Sequence, residues 1–172
     1  MAGSPASATD GALRSFTVQG KSLQAKVQVQ TPPVHFQGAK DALDRHSALG
    51  CAQQLYAHLA AGDLDKAATL SDDPAASKAI WARMLGRLGP DEFKKTYAAY
   101  LGPSGLELRF VISINTHVML IVRNPEAGMD AAQFYASAGG VFHVEETKSP
   151  EREKLGELFQ QLKNDDGIFV LP

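Results

Sequence analysis

Polar and apolar positions alternate early in the chain: Leu23, Ala25, Val27 and Val29 are separated by Gln24, Lys26 and Gln28, and Gln30 follows. A period of two puts every apolar side chain on one face of an extended chain, so this segment predicts a half-buried strand. Phe16 and Val18 fall in a partner strand, and Gln19, Gly20 and Lys21 supply the turn. Thr31, Pro32 and Pro33 should end the second strand, because proline has no N–H to give a sheet ladder. The hairpin over residues 13–31 stands either at the edge of a larger sheet or as an arm that meets a partner.

The period then lengthens. Ala48, Ala52, Leu55 and Leu59 recur at helical spacing, and Leu49 and Tyr56 widen the stripe. Gly62 reads as a stop and Asp63 as the cap of a short helix carrying Leu64, Ala67, Ala68 and Leu70. Ser71, Asp72, Asp73 and Pro74 open a third helix, with Ile80, Trp81, Met84, Leu85 and Leu88 as its expected buried stripe. Gly89 and Pro90 break it and begin a fourth. There Asp91 and Glu92 complement the helix dipole, while Phe93, Tyr97, Tyr100 and Leu101 face inward. Helices thus fill residues 39–101.

A sheet follows over residues 106–147. Leu106, Leu108, Phe110, Ile112 and Ile114 are expected on one face of a long strand, and Asn115 and Thr116 turn into a second that begins at His117. Residues 133–137 and 141–147 make a further pair joined through Ala138, Gly139 and Gly140. Ser149 and Pro150 open a last helix over residues 150–163, striped by Leu155, Leu158, Phe159 and Leu162, and residues 168–171 suggest a short closing strand. No fixed-period repeat occurs, nor any strand–helix alternation, so the chain predicts an α+β fold with an antiparallel sheet. The organisation expected is one domain over residues 13–172 behind a flexible tail of residues 1–12.

Composition narrows the function classes. A hydrophobic fraction of 44% with a net charge of −2 suits a folded domain and gives no overall electrostatic reason to bind nucleic acid. The longest apolar run, residues 110–122, is interrupted by Ser113, Asn115, Thr116 and His117, so no span of about 20 apolar residues exists for a membrane. The single Cys51 excludes an internal disulfide and every multi-cysteine metal motif. The start is rich in Ala, Ser, Gly and Pro but lacks the basic and apolar stretches of a secretory signal. It leaves two readings, a cytoplasmic protein with a loose tail or the mature part of an exported bacterial, periplasmic one, and leans to the second.

The stretch Leu55-Tyr56-Ala57-His58-Leu59-Ala60-Ala61-Gly62-Asp63, followed by the short helix, resembles the first helices of NTF2-like (SnoaL-like, cystatin-like) domains. The later helix and long strands are similar to that family as well, over residues 40–147. The resemblance implies a cone: helices packed against a curved antiparallel sheet around a pocket, with the opening hairpin and final helix as additions. Members of this fold include isomerases, cyclases, dehydratases, dimerisation modules and proteins with no activity, so the fold does not choose the function.

Candidate chemistry is sparse. His46 and His58 lie twelve residues apart in the expected first helix, too far to share a metal, and no metal or cofactor is expected. His143 shares a strand face with Glu145 and could be oriented by it as an acid–base pair, and His117 could point into the same pocket. Tyr56, Trp81, Tyr97, Tyr100 and Met119 are the candidate pocket lining, although aromatics at helical spacing also serve as plain core. Asp63 is better explained as a cap than as an acid. Neither a phosphate loop nor a nucleophile elbow is present. The expected function is a non-catalytic binding protein, such as an accessory or immunity protein, meeting a protein partner or a small apolar ligand. A homodimer through the sheet is a further expectation. An isomerase or hydro-lyase using the His/Glu pair is the alternative.

Overall fold

The computed structural model describes residues 11–38 and 45–172; most of the predicted tail and the predicted start of the first helix lie outside these residues. In chain order the elements are β1 (Ala12–Val18), β2 (Lys21–His35), α1 (Ala48–Ala60), α2 (Leu64–Ala68), α3 (Pro74–Leu88) and α4 (Pro90–Ala99). They continue with β3 (Glu107–Ile114), β4 (His117–Asn124), β5 (Met129–Ala138), β6 (Val141–Val144) and α5 (Pro150–Leu162). The six strands form one curved, unclosed sheet in the order β1-β2-β3-β4-β5-β6, antiparallel throughout. The opening hairpin is therefore its edge, joined to the rest through β2 and β3.

Helix boundaries follow the capping chemistry. Ser47, Asp63, Asp73 and Ser149 each accept a hydrogen bond from a backbone N–H in the first turn of α1, α2, α3 and α5. Gly62 takes a φ of 75° after α1, a conformation that L side chains avoid. The first helix starts at Ala48, where its apolar stripe begins, so His46 is not part of it as expected. His46 sits in the turn before it, with Nδ1 3.1 Å from the Gly140 carbonyl oxygen.

The sheet carries a hydrophobic layer on each face. On one, α1 to α4 cover Leu108, Val118, Leu120, Val122 and Tyr135. On the other, α5 covers Phe110, Ile112, Met119 and Ile121 together with Phe16, Val18 and Val27. Buried on both sides, β4 explains the unbroken apolar run Val118-Met119-Leu120-Ile121-Val122.

Three expectations change. Leu108 pairs with Val122 but Phe110 with Ile121, so Arg109 is an extra residue in β3. This bulge turns the strand over, and Leu106 and Leu108 join the α1–α4 layer while Phe110 and Ile112 join α5. Secondly, β2 does not end at the prolines. Its ladder to β3 is interrupted between Val29 and Val34 and then resumes through His35, so Pro32 and Pro33 sit where no ladder bond is asked of them. Thirdly, Ile80 is 40% exposed. Trp81 is buried as expected, and the other buried place on α3 goes to Ser77, whose hydroxyl lies 2.7 Å from Ser71 Oγ and 3.1 Å from Glu146 Oε1.

The final helix crosses the sheet. At its N-terminal end Ser149 meets Glu145, just past β6, and at its C-terminal end the Gln161 amide donates to the Thr17 carbonyl of β1 at 2.7 Å. A helix of 13 residues is about 20 Å long, the width of four strand spacings. The chain beyond α5 turns back, and Phe169 pairs with Lys163 in a single bridge where a closing strand was expected.

Candidate functional site

Three groupings of polar or aromatic side chains stand out. The first is around His117. Its Nδ1 lies 3.0 Å from both carboxylate oxygens of Glu145, and its Nε2 lies 3.6 Å from Glu151 Oε2. Glu145 is 4% exposed and also accepts a hydrogen bond from the Ser149 hydroxyl. The same Ser149 oxygen accepts from the Arg152 N–H at 3.1 Å, which is the cap of α5. The pairing expected from sequence, His143 with Glu145, is replaced by His117 with Glu145. Cross-strand register explains the exchange: His117, Ala136 and His143 lie in one row, while the Glu145 N–H bonds the Phe134 carbonyl beyond the end of β6.

A serine, a histidine and a carboxylate in contact invite comparison with a nucleophilic triad. In that arrangement the hydroxyl meets the nitrogen remote from the carboxylate. Here Ser149 Oγ is on the Nδ1 side, 3.4 Å away, together with Glu145. The opposite nitrogen faces a second carboxylate. This geometry fastens the start of α5 to β4 and to the end of β6, and leaves no activated hydroxyl.

The second grouping is aromatic. Tyr56 touches Phe36, Tyr97 and Tyr100 at ring-centroid distances of 5.6, 5.8 and 5.7 Å, and Tyr97 touches Phe93 at 4.8 Å. Gln133 links Tyr56 to Tyr135: its amide donates to the Tyr56 hydroxyl, and its carbonyl accepts from the Tyr135 hydroxyl at 3.0 Å. Burial raises the Tyr56, Tyr97 and Tyr135 phenols above their ordinary values, with neighbouring phenols adding to it. Cys51 nearby is pushed up to about 11 by burial, against the opposing pull of Arg45, so it is an unreactive thiol at neutral pH. Of the candidate pocket residues, Tyr56, Trp81, Tyr97 and Tyr100 pack in the α1–α4 layer. Met119 is fully buried on the opposite face of the sheet. The sheet itself separates it from the other four.

The third grouping was not singled out in the sequence. Asp130, on β5, is buried and accepts from Arg109 at 2.7 Å, from Arg123 at 3.0 and 3.3 Å, and from the Phe169 N–H at 2.8 Å. It ties β3, β4, β5 and the C-terminal segment to one carboxylate. The bulge at Arg109 is what brings that guanidinium to Asp130, and no local pattern announces it.

Alongside these lies an open groove of about 1050 Å³ between α5, β5 and the β1–β2 turn. Ala132, Phe134, Phe159 and Val18 give it apolar wall, Lys148 just before α5 and Arg152 in its first turn add two cations, and Asp130, Glu153 and Glu157 add carboxylates. The Arg152 guanidinium covers the Phe134 ring at 4.9 Å, and its terminal nitrogen donates to the Glu146 carbonyl at 3.2 Å. Its Nε is buried without a hydrogen-bond partner. Gly156 borders the same space; a Cβ there would meet the Phe134 ring at 3.7 Å.

Among the described residues no three His, Cys, Asp or Glu side chains are grouped to hold a metal, and no helix is long and apolar enough to cross a membrane. No protein-family model, curated protein or solved structure matches the chain.

Proposed function

We propose that the protein is a non-catalytic binding protein of the NTF2-like kind, and that the groove along α5 is its contact surface. The observation that carries this reading is the groove's make-up: an apolar wall at Phe134 and Phe159 beside the Lys148 and Arg152 side chains. The chemistry that fits is an apolar body with polar groups at its rim that meet Lys148 and Arg152, either a small molecule or a side-chain cluster on a partner protein.

The acid–base alternative asks His117 to present Nε2 to an opening. Glu151 stands there, and His117 is outside the groove lining. Ser149 is engaged as a helix cap. These placements weigh for the binding reading.

The test uses anilinonaphthalene sulfonate, an anionic aromatic dye, added to the folded protein and followed by amide chemical shifts. Saturable binding that moves the signals of Phe134, Arg152, Gly156 and Phe159 is expected. Non-saturable binding, or shifts confined to the α1–α4 layer, would count against the groove.

A further inference from the structure

We infer that two copies of this chain associate through β1, which adds to its own two-fold mate and continues the sheet across the pair. The inference is independent of the groove and rests on how the hairpin aims its backbone.

The turn between β1 and β2 has two residues, Gln19 and Gly20, with φ of 50° and 74°. A two-residue turn of this hand is closed by a hydrogen-bonded pair, here Val18 with Lys21. Counting back along an antiparallel ladder, Phe16, Arg14 and Ala12 direct their N–H and C=O groups to β2. Thr17, Ser15 and Leu13 direct theirs away from it. One observation checks the count: the Thr17 carbonyl accepts from the Gln161 side chain on α5, outside the ladder. The backbone groups of Leu13 and Ser15 have no partner among the described residues.

A free edge is a template for another strand, and proteins that stay apart blunt it with charge, proline or a bulge. β1 carries a single charge, Arg14, with neither proline nor bulge. Its largest exposed apolar side chain, Leu13, is 68% exposed.

The occupant is a second copy because it brings the same unpaired edge, and pairing about the centre of β1 sets no like charges opposite each other. β1 runs Ala12–Val18, so its centre is Ser15, one of the outward-directed residues. A two-fold axis there pairs Ser15 with Ser15 of the mate, Leu13 with Thr17, Arg14 with Phe16 and Ala12 with Val18. All seven residues on each side find a partner. Thr17 keeps a lone pair for the mate beside its bond from Gln161. Arg14 then lies across from an aromatic ring, whereas an axis at Arg14 would set two like charges opposite each other. Charge thereby selects the register. An edge contact of this length falls below the roughly 1,200 Å² of a standard interface, so the pairing is reversible and concentration-dependent.

The experiment is sedimentation equilibrium of the full chain over about a hundredfold range of concentration, with Ser15→Lys and Ser15→Cys alongside. The wild-type average mass should rise from monomer towards dimer. Ser15→Lys, at an exposed position paired with Gln24 in the ladder, should stay folded and weaken association at least tenfold, because the two lysines meet at the axis. Ser15→Cys should form a disulfide-linked dimer on mild oxidation, which the wild type cannot do through its buried Cys51. A wild type that stays monomeric throughout overturns the inference. So does a Ser15→Lys protein that associates as tightly as wild type, or a Ser15→Cys protein that never cross-links.

Discussion

The imidazole Nδ1 of His117 lies 3.0 Å from each carboxylate oxygen of Glu145, and both side chains belong to the fastening of α5 onto the sheet. Glu145 is the hub of that fastening. It accepts from Ser149 as well as facing His117, and its own N–H holds the Phe134 carbonyl. If the pair is structural, its removal should appear in stability.

Glu145→Ala would leave the Ser149 hydroxyl and His117 Nδ1 without their acceptor in a nearly closed site. A loss of about 2–4 kcal/mol is expected, read from urea denaturation. Ser149→Ala should cost about 1 kcal/mol through the lost cap. Because one hydroxyl serves both contacts, the double variant should lose less than the two single losses combined.

Asp130→Ala would strand two guanidinium groups and a buried N–H. Roughly 3–5 kcal/mol of stability should be lost, more than for Arg109→Ala or Arg123→Ala, since either arginine is partly exposed and leaves the carboxylate a second partner. Thermal denaturation of the three variants gives the order.

Glycine replacements should divide by what surrounds them. A Cβ at Gly86, within α3, would meet nothing within 4 Å, and at Gly156, within α5, only the Phe134 ring at ordinary contact distance. Gly86→Ala and Gly156→Ala should each stabilise by about 0.5–1 kcal/mol through helix propensity. Gly105→Ala should do the reverse, because its Cβ would fall 2.2 Å from the Tyr100 carbonyl oxygen. Melting temperatures decide all three.

Alkali should destabilise the fold through its buried acids. Cys51 is raised from 9.0 to about 11, and Tyr56, Tyr97 and Tyr135 are raised from 10.0. Below the unfolded values both states keep these protons, and the groups do not change the balance. Above them the unfolded chain loses protons that the fold retains, so stability falls with rising pH, for Cys51 between 9.0 and about 11. At the other end His58 is lowered from 6.5 by burial, so its share of stability falls as pH drops below that value. Urea midpoints measured across this range should decline at both ends.

Much of the fold was legible because it follows from local chemistry. Asp63 caps α2, Pro74 and Pro90 open α3 and α4, and Gln19–Gly20 turns the hairpin, all as residue type and spacing predict. What was not legible depends on register across the sheet. One inserted residue, Arg109, reverses the faces of β3, and no periodicity within the strand marks it. The candidate site was legible as residue types only: His117, His143 and Glu145 stand near one another, but which histidine meets the carboxylate depends on how β6 ends. Residue type alone groups Met119 with the pocket aromatics, and alternation along β4 places it beneath α5. Asp130 with its two arginines draws on three strands and had no signal in any one of them.

The binding reading is tested most directly by the affinity of Gly156→Trp for anilinonaphthalene sulfonate. The indole would occupy the space beside Phe134 while the buried fastening at Glu145 stays intact. Affinity at least tenfold below wild type is expected, a change of about 1.4 kcal/mol, with the melting temperature preserved. Wild-type affinity in that folded variant would contradict it.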